Sequence, residues 1–158
     1  MKKYLFVFVM AACALGCSDD DGGSGPDPNL ELVPGTWELT ELRISPAQDI
    51  DEDGTTTSNI LDELPCVNAR ITIRSDNTWS FSGNDVIITT ITGGLFKFFC
   101  SDQIRLASGN WDLVGNTLRL ADGSGVVTQF TFDSEAETLT NTIGEVLPEL
   151  QAEIYTKQ

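Results

Sequence analysis

The chain has no histidine, and only nine of its 158 residues are Lys or Arg. The first absence removes Ser-His-Asp triads, histidine general bases and most zinc or iron sites. The second leaves twenty-four acidic residues and a net charge of −15. Such a surface repels nucleic-acid phosphates and anionic headgroups, so no nucleic-acid partner is expected. Missing too are a Gly-x-Ser-x-Gly elbow, a phosphate-binding glycine loop and a C-x-x-C pair. We therefore expect a protein that is not an enzyme. Cysteine is scarce, with two residues near the start and only Cys66 and Cys100 farther in. No helical period is sustained after the first thirty or so residues, which argues against a helical domain.

What is present begins with an address. Lys2-Lys3 precedes an apolar run from Tyr4 to Leu15, too short to cross a bilayer as a mature helix. Ala14-Leu15-Gly16-Cys17 resembles a bacterial lipobox, which implies lipidation at Cys17; Cys13 is the alternative, and an ordinary cleaved signal is the plainer reading. Ser18-Asp19-Asp20-Asp21 resembles the acidic tag of surface-exposed lipoproteins, although a solvated spacer fits as well. Gly22 to Pro28 contains no apolar residue and reads as a flexible tether. The expected organisation is a signal peptide over 1–16, a tether over 17–32 and one domain over 33–158.

The domain reads as strands. In Gly35-Thr36-Trp37-Glu38-Leu39-Thr40, Trp37 and Leu39 share one face. Leu42 and Ile44 then take the opposite parity, which predicts a bulge near Thr40-Glu41. Ser45 to Gln48 reads as a break. Ile71/Ile73 and Trp79/Phe81 flank Ser75-Asp76-Asn77 as a hairpin. Turns are expected at Gly83-Asn84-Asp85, Gly93-Gly94, Gly115-Asn116, Asp122-Gly123 and Asp133 to Ala136. The parity of Ile104/Leu106 against Trp111/Leu113 predicts a register change at Ser108-Gly109. Val126, Thr128, Phe130 and Phe132 share a face, Leu139 and Ile143 follow, and Ala152/Ile154/Thr156 mark a closing strand. Gly144 to Leu150 has room for one helical turn. Eight to ten short strands with frequent turns imply an all-β, antiparallel up-and-down barrel, since closure removes exposed edges.

Three sets of residues invite chemistry. Asp49-Ile50-Asp51-Glu52-Asp53-Gly54-Thr55 has the D-x-D-x-D-G opening of a calcium loop. Asp49, Asp51 and Asp53 are candidate Ca²⁺ ligands, with the Thr55 carbonyl and Asp62 or Glu63 closing the shell. An EF-hand glutamate is absent, because its position holds Ile60, and an acidic solvated loop is the plainer reading. Cys66 and Cys100 are expected to form a disulfide in an exported domain, the alternative being two buried thiols. Trp37, Trp79 and Trp111 lie in alternating strands and are expected in the core rather than on a sugar. Phe96, Phe98 and Phe99 fit either the core or a barrel mouth. Arg70, Arg74, Arg105 and Arg119 could each meet an anion in a cavity, but nothing places them together and solvated strand faces are the plainer reading.

Two Gly-x-Trp strands, Pro65-Cys66 ahead of a strand and Asp76-Asn77-Thr78, and Gly115-Asn116-Thr117-Leu118 resemble bacterial lipocalin-like lipoproteins. The resemblance runs from Val33 to the end and takes in the acidic loop before Cys66. It implies an outer-membrane lipoprotein at the cell surface, or otherwise facing the periplasm, touching the membrane only through its anchor. The implied function is non-catalytic binding of a small apolar molecule by a monomer. The alternative is a solid-core module that meets a protein or glycan through its loops.

Overall fold

In the computed structural model, which describes residues 27–90, 96–143 and 150–158, the opening Gly-x-Trp segment is strand β1 (Gly35–Gln48). Asp27 caps a short 3₁₀ turn, Pro28–Glu31, by accepting from the Asn29 amide. Leu30 packs against the core and Val33 is fully buried, so the last residues of the expected tether are part of the domain. The expected signal peptide, Cys17 and most of the expected tether lie outside the described residues.

The bulge in β1 falls where the parity predicts it. Leu39 pairs with Tyr155 and Glu41 with Ile154, which leaves Thr40 over. The Thr40 hydroxyl lies 2.8 Å from that of Thr156 and donates to the Ile154 carbonyl. Contrary to expectation, β1 does not break at Ser45-Pro46. Pro46 falls in the gap between the Arg43–Asn59 and Gln48–Thr57 pairs with β2 (Thr57–Asn59), where no ladder donor is required.

One helical turn, α1 (Ile60–Glu63), follows β2. Next come β3 (Ala69–Ile73), β4 (Thr78–Thr90), β5 (Phe96–Val114), β6 (Thr117–Asp122), β7 (Val127–Asp133), β8 (Thr138–Thr142) and β9 (Leu150–Lys157). Each pairs antiparallel with the next in the order β2-β1-β3-β4-β5-β6-β7-β8-β9, and β1 also pairs with β9. The sheet thus closes into an eight-stranded antiparallel barrel with β2 as a flap on β1. The hairpins at Ser75-Asp76-Asn77, Gly115-Asn116, Asp122-Gly123 and Asp133 to Ala136 fall where expected. The expected Gly93-Gly94 turn and the helical turn after Gly144 lie outside the described residues.

Neither the turn expected at Gly83-Asn84-Asp85 nor the register change expected at Ser108-Gly109 is present, and in both places glycine serves close approach. At Gly83-Asn84-Asp85 the strand β4 runs on, with a shift in its register against β5 between Asn84 and Val86, and the Asn84 amide donates to Asn68 O. A Cβ on Gly83 would stand 2.9 Å from the Ala69 methyl, the Asn68 carbonyl and the Phe81 ring. Nor does the register change at Ser108-Gly109, since pairing with β4 is unbroken from Asn84–Ile104 to Thr78–Asn110. A Cβ on Gly109 would lie 1.9 Å from the Ala121 carbonyl oxygen. The parity misleads because Ile104 and Leu106 face outward, 64% and 73% exposed. They lie where β5 pairs only with β4, beyond the reach of β6.

The interior packs at both ends. One cluster gathers Val33, Trp37, Ile71, Ile73, Trp79, Trp111, Leu118, Leu120, Phe130, Phe132, Leu139 and Tyr155. All three tryptophans are core residues, as expected. Each indole N–H finds a backbone carbonyl: Trp37 that of Val33, Trp79 those of Asn110 and Ala121, Trp111 that of Arg74. Burying an indole without such a partner would cost the desolvation of its N–H. The second cluster joins Leu42, Ile44, Ile60, Val67, Phe98 and Leu150 at the other end. It seats α1 and the acidic loop through Ile50, Ile60, Leu61 and Leu64. Phe98 is therefore core, while Phe99 is 42% exposed; the Phe96 side chain is outside the described residues. The Cys66–Cys100 disulfide, with Cα atoms 6.2 Å apart, ties the β4–β5 ribbon to this end.

Candidate functional site

Between the two packed ends the barrel is not filled. An open-sided cavity of about 380 Å³ is lined by Ile71, Trp79, Phe81, Leu120, Phe130 and others. A second space of about 140 Å³ is lined by Leu39, Leu42, Val67 and Leu150. Phe81, Arg105, Glu153 and Tyr155 border both. The larger space lies within the range of small-molecule sites, and its walls are mostly apolar with a few polar groups.

Alternation places those polar groups inside. Ala107 pairs with Phe81 on the inner face of β5, so Arg105 shares that face two residues earlier. Its guanidinium stands over the Phe81 ring, 5.0 Å from the centroid, a cation–π arrangement. It is exposed to solvent, as expected, but on the inward parity of β5 at the open side of the cavity rather than on the outer face. Arg70 and Arg119 lie on that outer face, pairing with Glu38 and Asp112. Arg74 is exposed and donates to the Ser80 hydroxyl.

On β9 the inward residues are Glu153 and Tyr155, because they pair with Leu42 and Leu39. The sequence pattern favours Ala152 and Ile154, which are buried on the opposite parity. Burial pushes the Glu153 carboxyl above its ordinary range. The Asn141 side-chain amide, 3.4 Å away, and the charge of Arg105 oppose that shift. Burial also drives the Tyr155 phenol far upward, with the Glu153 charge adding to it. The Tyr155 ring meets Phe130 edge-on at 5.8 Å. At the rim, Asp122 is held below the usual carboxylate range, first by the Ser124 hydroxyl and then by backbone amides.

The acidic loop forms a separate site. Asp49, Asp51 and Glu63 each bring one carboxylate oxygen within 4.8 Å of the others. Oxygens that share one calcium at 2.3–2.6 Å can stand at most about 5 Å apart, so these three fit a single ion. Two further observations support the fit. Asp49 Oδ1 is buried with no hydrogen-bond partner. Glu63 is only 5% exposed, and its Oε2 accepts from the Ile50 and Asp51 amides. Asp53 and Asp62 are used locally instead. Asp53 Oδ1 accepts from the Thr55 amide, and Asp62 Oδ2 from the Thr57 hydroxyl. Gly54 has φ +93° with open space around it, so the turn, not close approach, requires glycine there.

A groove of about 470 Å³ on the outer face, beside Glu38, Asn68, Arg70 and Ser82, is less suited to recognition. Its two charges are already paired with each other.

Comparison of the chain with protein-family models, with curated proteins and with solved structures returned no match.

Proposed function

We propose that this chain is an exported, lipid-anchored, lipocalin-like barrel that binds one small, largely apolar molecule and carries out no catalysis. The observation that carries the reading is the unfilled space between two well-packed ends, bordered by Ile71, Trp79, Phe81, Leu120 and Phe130. The inward-facing apolar side chains that line this open-sided space offer a small molecule a surface to bury against, which a barrel filled to its mouth would lack. That favours the ligand reading over loop-mediated contact with a protein or glycan. Native mass spectrometry of the wild type beside Ala107→Phe, which fills the cavity wall, tests it.

The anchor rests on Cys17, its preceding apolar run and the acidic residues after it. Location at the outer membrane, facing outward, belongs to the same proposal. Cys17→Ala is expected to move the protein from the membrane fraction to the soluble one. Unchanged membrane association would end the anchoring proposal.

Calcium is proposed as a structural ion held by Asp49, Asp51 and Glu63. It would neutralise three neighbouring carboxylates and fasten the acidic loop to the end of the barrel that Ile60 and Val67 pack.

A further inference from the structure

The cavity is not purely apolar, and its polar groups are few enough to read as a ligand specification. Arg105 has no carboxylate within ion-pair distance and makes no hydrogen bond among the described residues. It rests on Phe81 and is exposed to solvent, so its N–H donors stand at the open side of the space it borders, where a ligand would exchange with water. A guanidinium offers five such donors and no acceptor. Glu153 borders the same two spaces and receives only the long contact from Asn141. One wall therefore offers donors and another an acceptor, and the two do not satisfy each other. Glu153 is partly buried, and a group left unpaired there penalises a ligand that lacks the matching donor, while exposed Arg105 rewards a ligand that supplies an acceptor.

The charges restrict the matching head group further. An anionic head would gain Arg105 but face Glu153 and the ionised Asp122 at the rim. A cationic head would gain the carboxylates but face Arg105. A head that carries an acceptor and a donor side by side, without net charge, meets both walls and opposes neither.

We infer that the barrel takes an amphipathic molecule whose uncharged, amide-like head bridges Arg105 and Glu153, with its apolar body against Trp79, Leu120 and Phe130. The inference rests on the proposed binding function. The head's carbonyl oxygen accepts from the Arg105 guanidinium, and its N–H donates to the Glu153 carboxyl. Both residues act as specificity determinants.

The test is displacement of an uncharged, environment-sensitive fluorescent probe from the full-length protein at neutral pH. The competitors are a straight-chain primary amide, carboxylic acid and primary amine of equal chain length. Wild-type protein is expected to prefer the amide by about tenfold over either charged competitor. Glu153→Gln is expected to improve the acid, and Arg105→Gln the amine, with circular dichroism checking that each variant remains folded. The wild-type ranking needs no variant, so it decides the matter even where a substitution unfolds the chain. If the three competitors displace the probe equally, or a charged one wins, the head-group assignment is overturned while binding itself stands. If the wild type binds the probe at no saturable site, the binding reading fails and the assignment with it.

Discussion

Glu153 is a carboxyl placed where a carboxylate is costly. Desolvation disfavours its charged form, and nearby Arg105 only partly offsets that. A carboxyl whose folded pKa is raised costs nothing at acid pH, where both states are protonated. As pH rises from the ordinary value of 4.5, the unfolded chain releases its proton before the folded one does. Stability therefore falls across the interval up to the raised value and stays lowered above it. Glu153→Gln is expected to flatten that part of the profile and to raise the melting midpoint at neutral pH. Thermal melts of both proteins across pH check it. A parallel profile, with no gain at neutral pH, would show that Glu153 is well solvated. The sequence pattern conceals this residue for a physical reason. Both faces of β9 are buried, so alternation carries no contrast there. The parity then follows the aliphatic residues Ala152 and Ile154 rather than the cavity-facing pair, Glu153 and Tyr155. Arg105 is concealed similarly, because its outward neighbours Ile104 and Leu106 look like the core face.

At the scale of elements, the long β4–β5 ribbon and the acidic loop each depend on a tether. Before Gly109, β5 has only β4 as a partner, and an isolated two-stranded ribbon is marginal in water. The Cys66–Cys100 bridge fastens it to the segment after α1. Replacing both cysteines with Ala is expected to cost about 3–4 kcal/mol by the chain-entropy estimate for a loop of this size. Denaturant titration of the oxidised domain against the variant measures it, and equal midpoints would contradict it. The pairing was legible in the sequence because these are the only two cysteines of the domain. The ribbon's length was not, because Gly83 and Gly109 read as punctuation when they are sites of close backbone approach.

The acidic loop was legible as a candidate ion site through its alternating aspartates. Its third close carboxylate, Glu63, depends on α1 folding back over Ile50, which spacing alone does not determine. Calcium that binds only the folded state is expected to add about 2.7 kcal/mol at one hundred times its dissociation constant. Melts with calcium and with chelator measure that gain, and Asp49→Asn with Asp51→Asn is expected to abolish it. A wild-type midpoint that ignores calcium would leave the loop as solvated charge held by its own amides.

For the whole molecule, closure was the readable part. Successive hairpins with short turns lead to a meander, and pairing of the first long strand with the last removes the edges. What the barrel encloses was not readable, because alternation gives the inward residues but not the volume left between them. Packing at the two ends leaves the middle open, and the proposed function rests on that space. The most direct measurement is native mass spectrometry of the purified protein after equilibration with a bacterial lipid extract, beside the folded Ala107→Phe variant. The expected result is a single small-molecule adduct on the wild type, released on denaturation and missing from the variant. A wild type without an adduct, or a variant that carries the same adduct, would contradict binding inside the barrel.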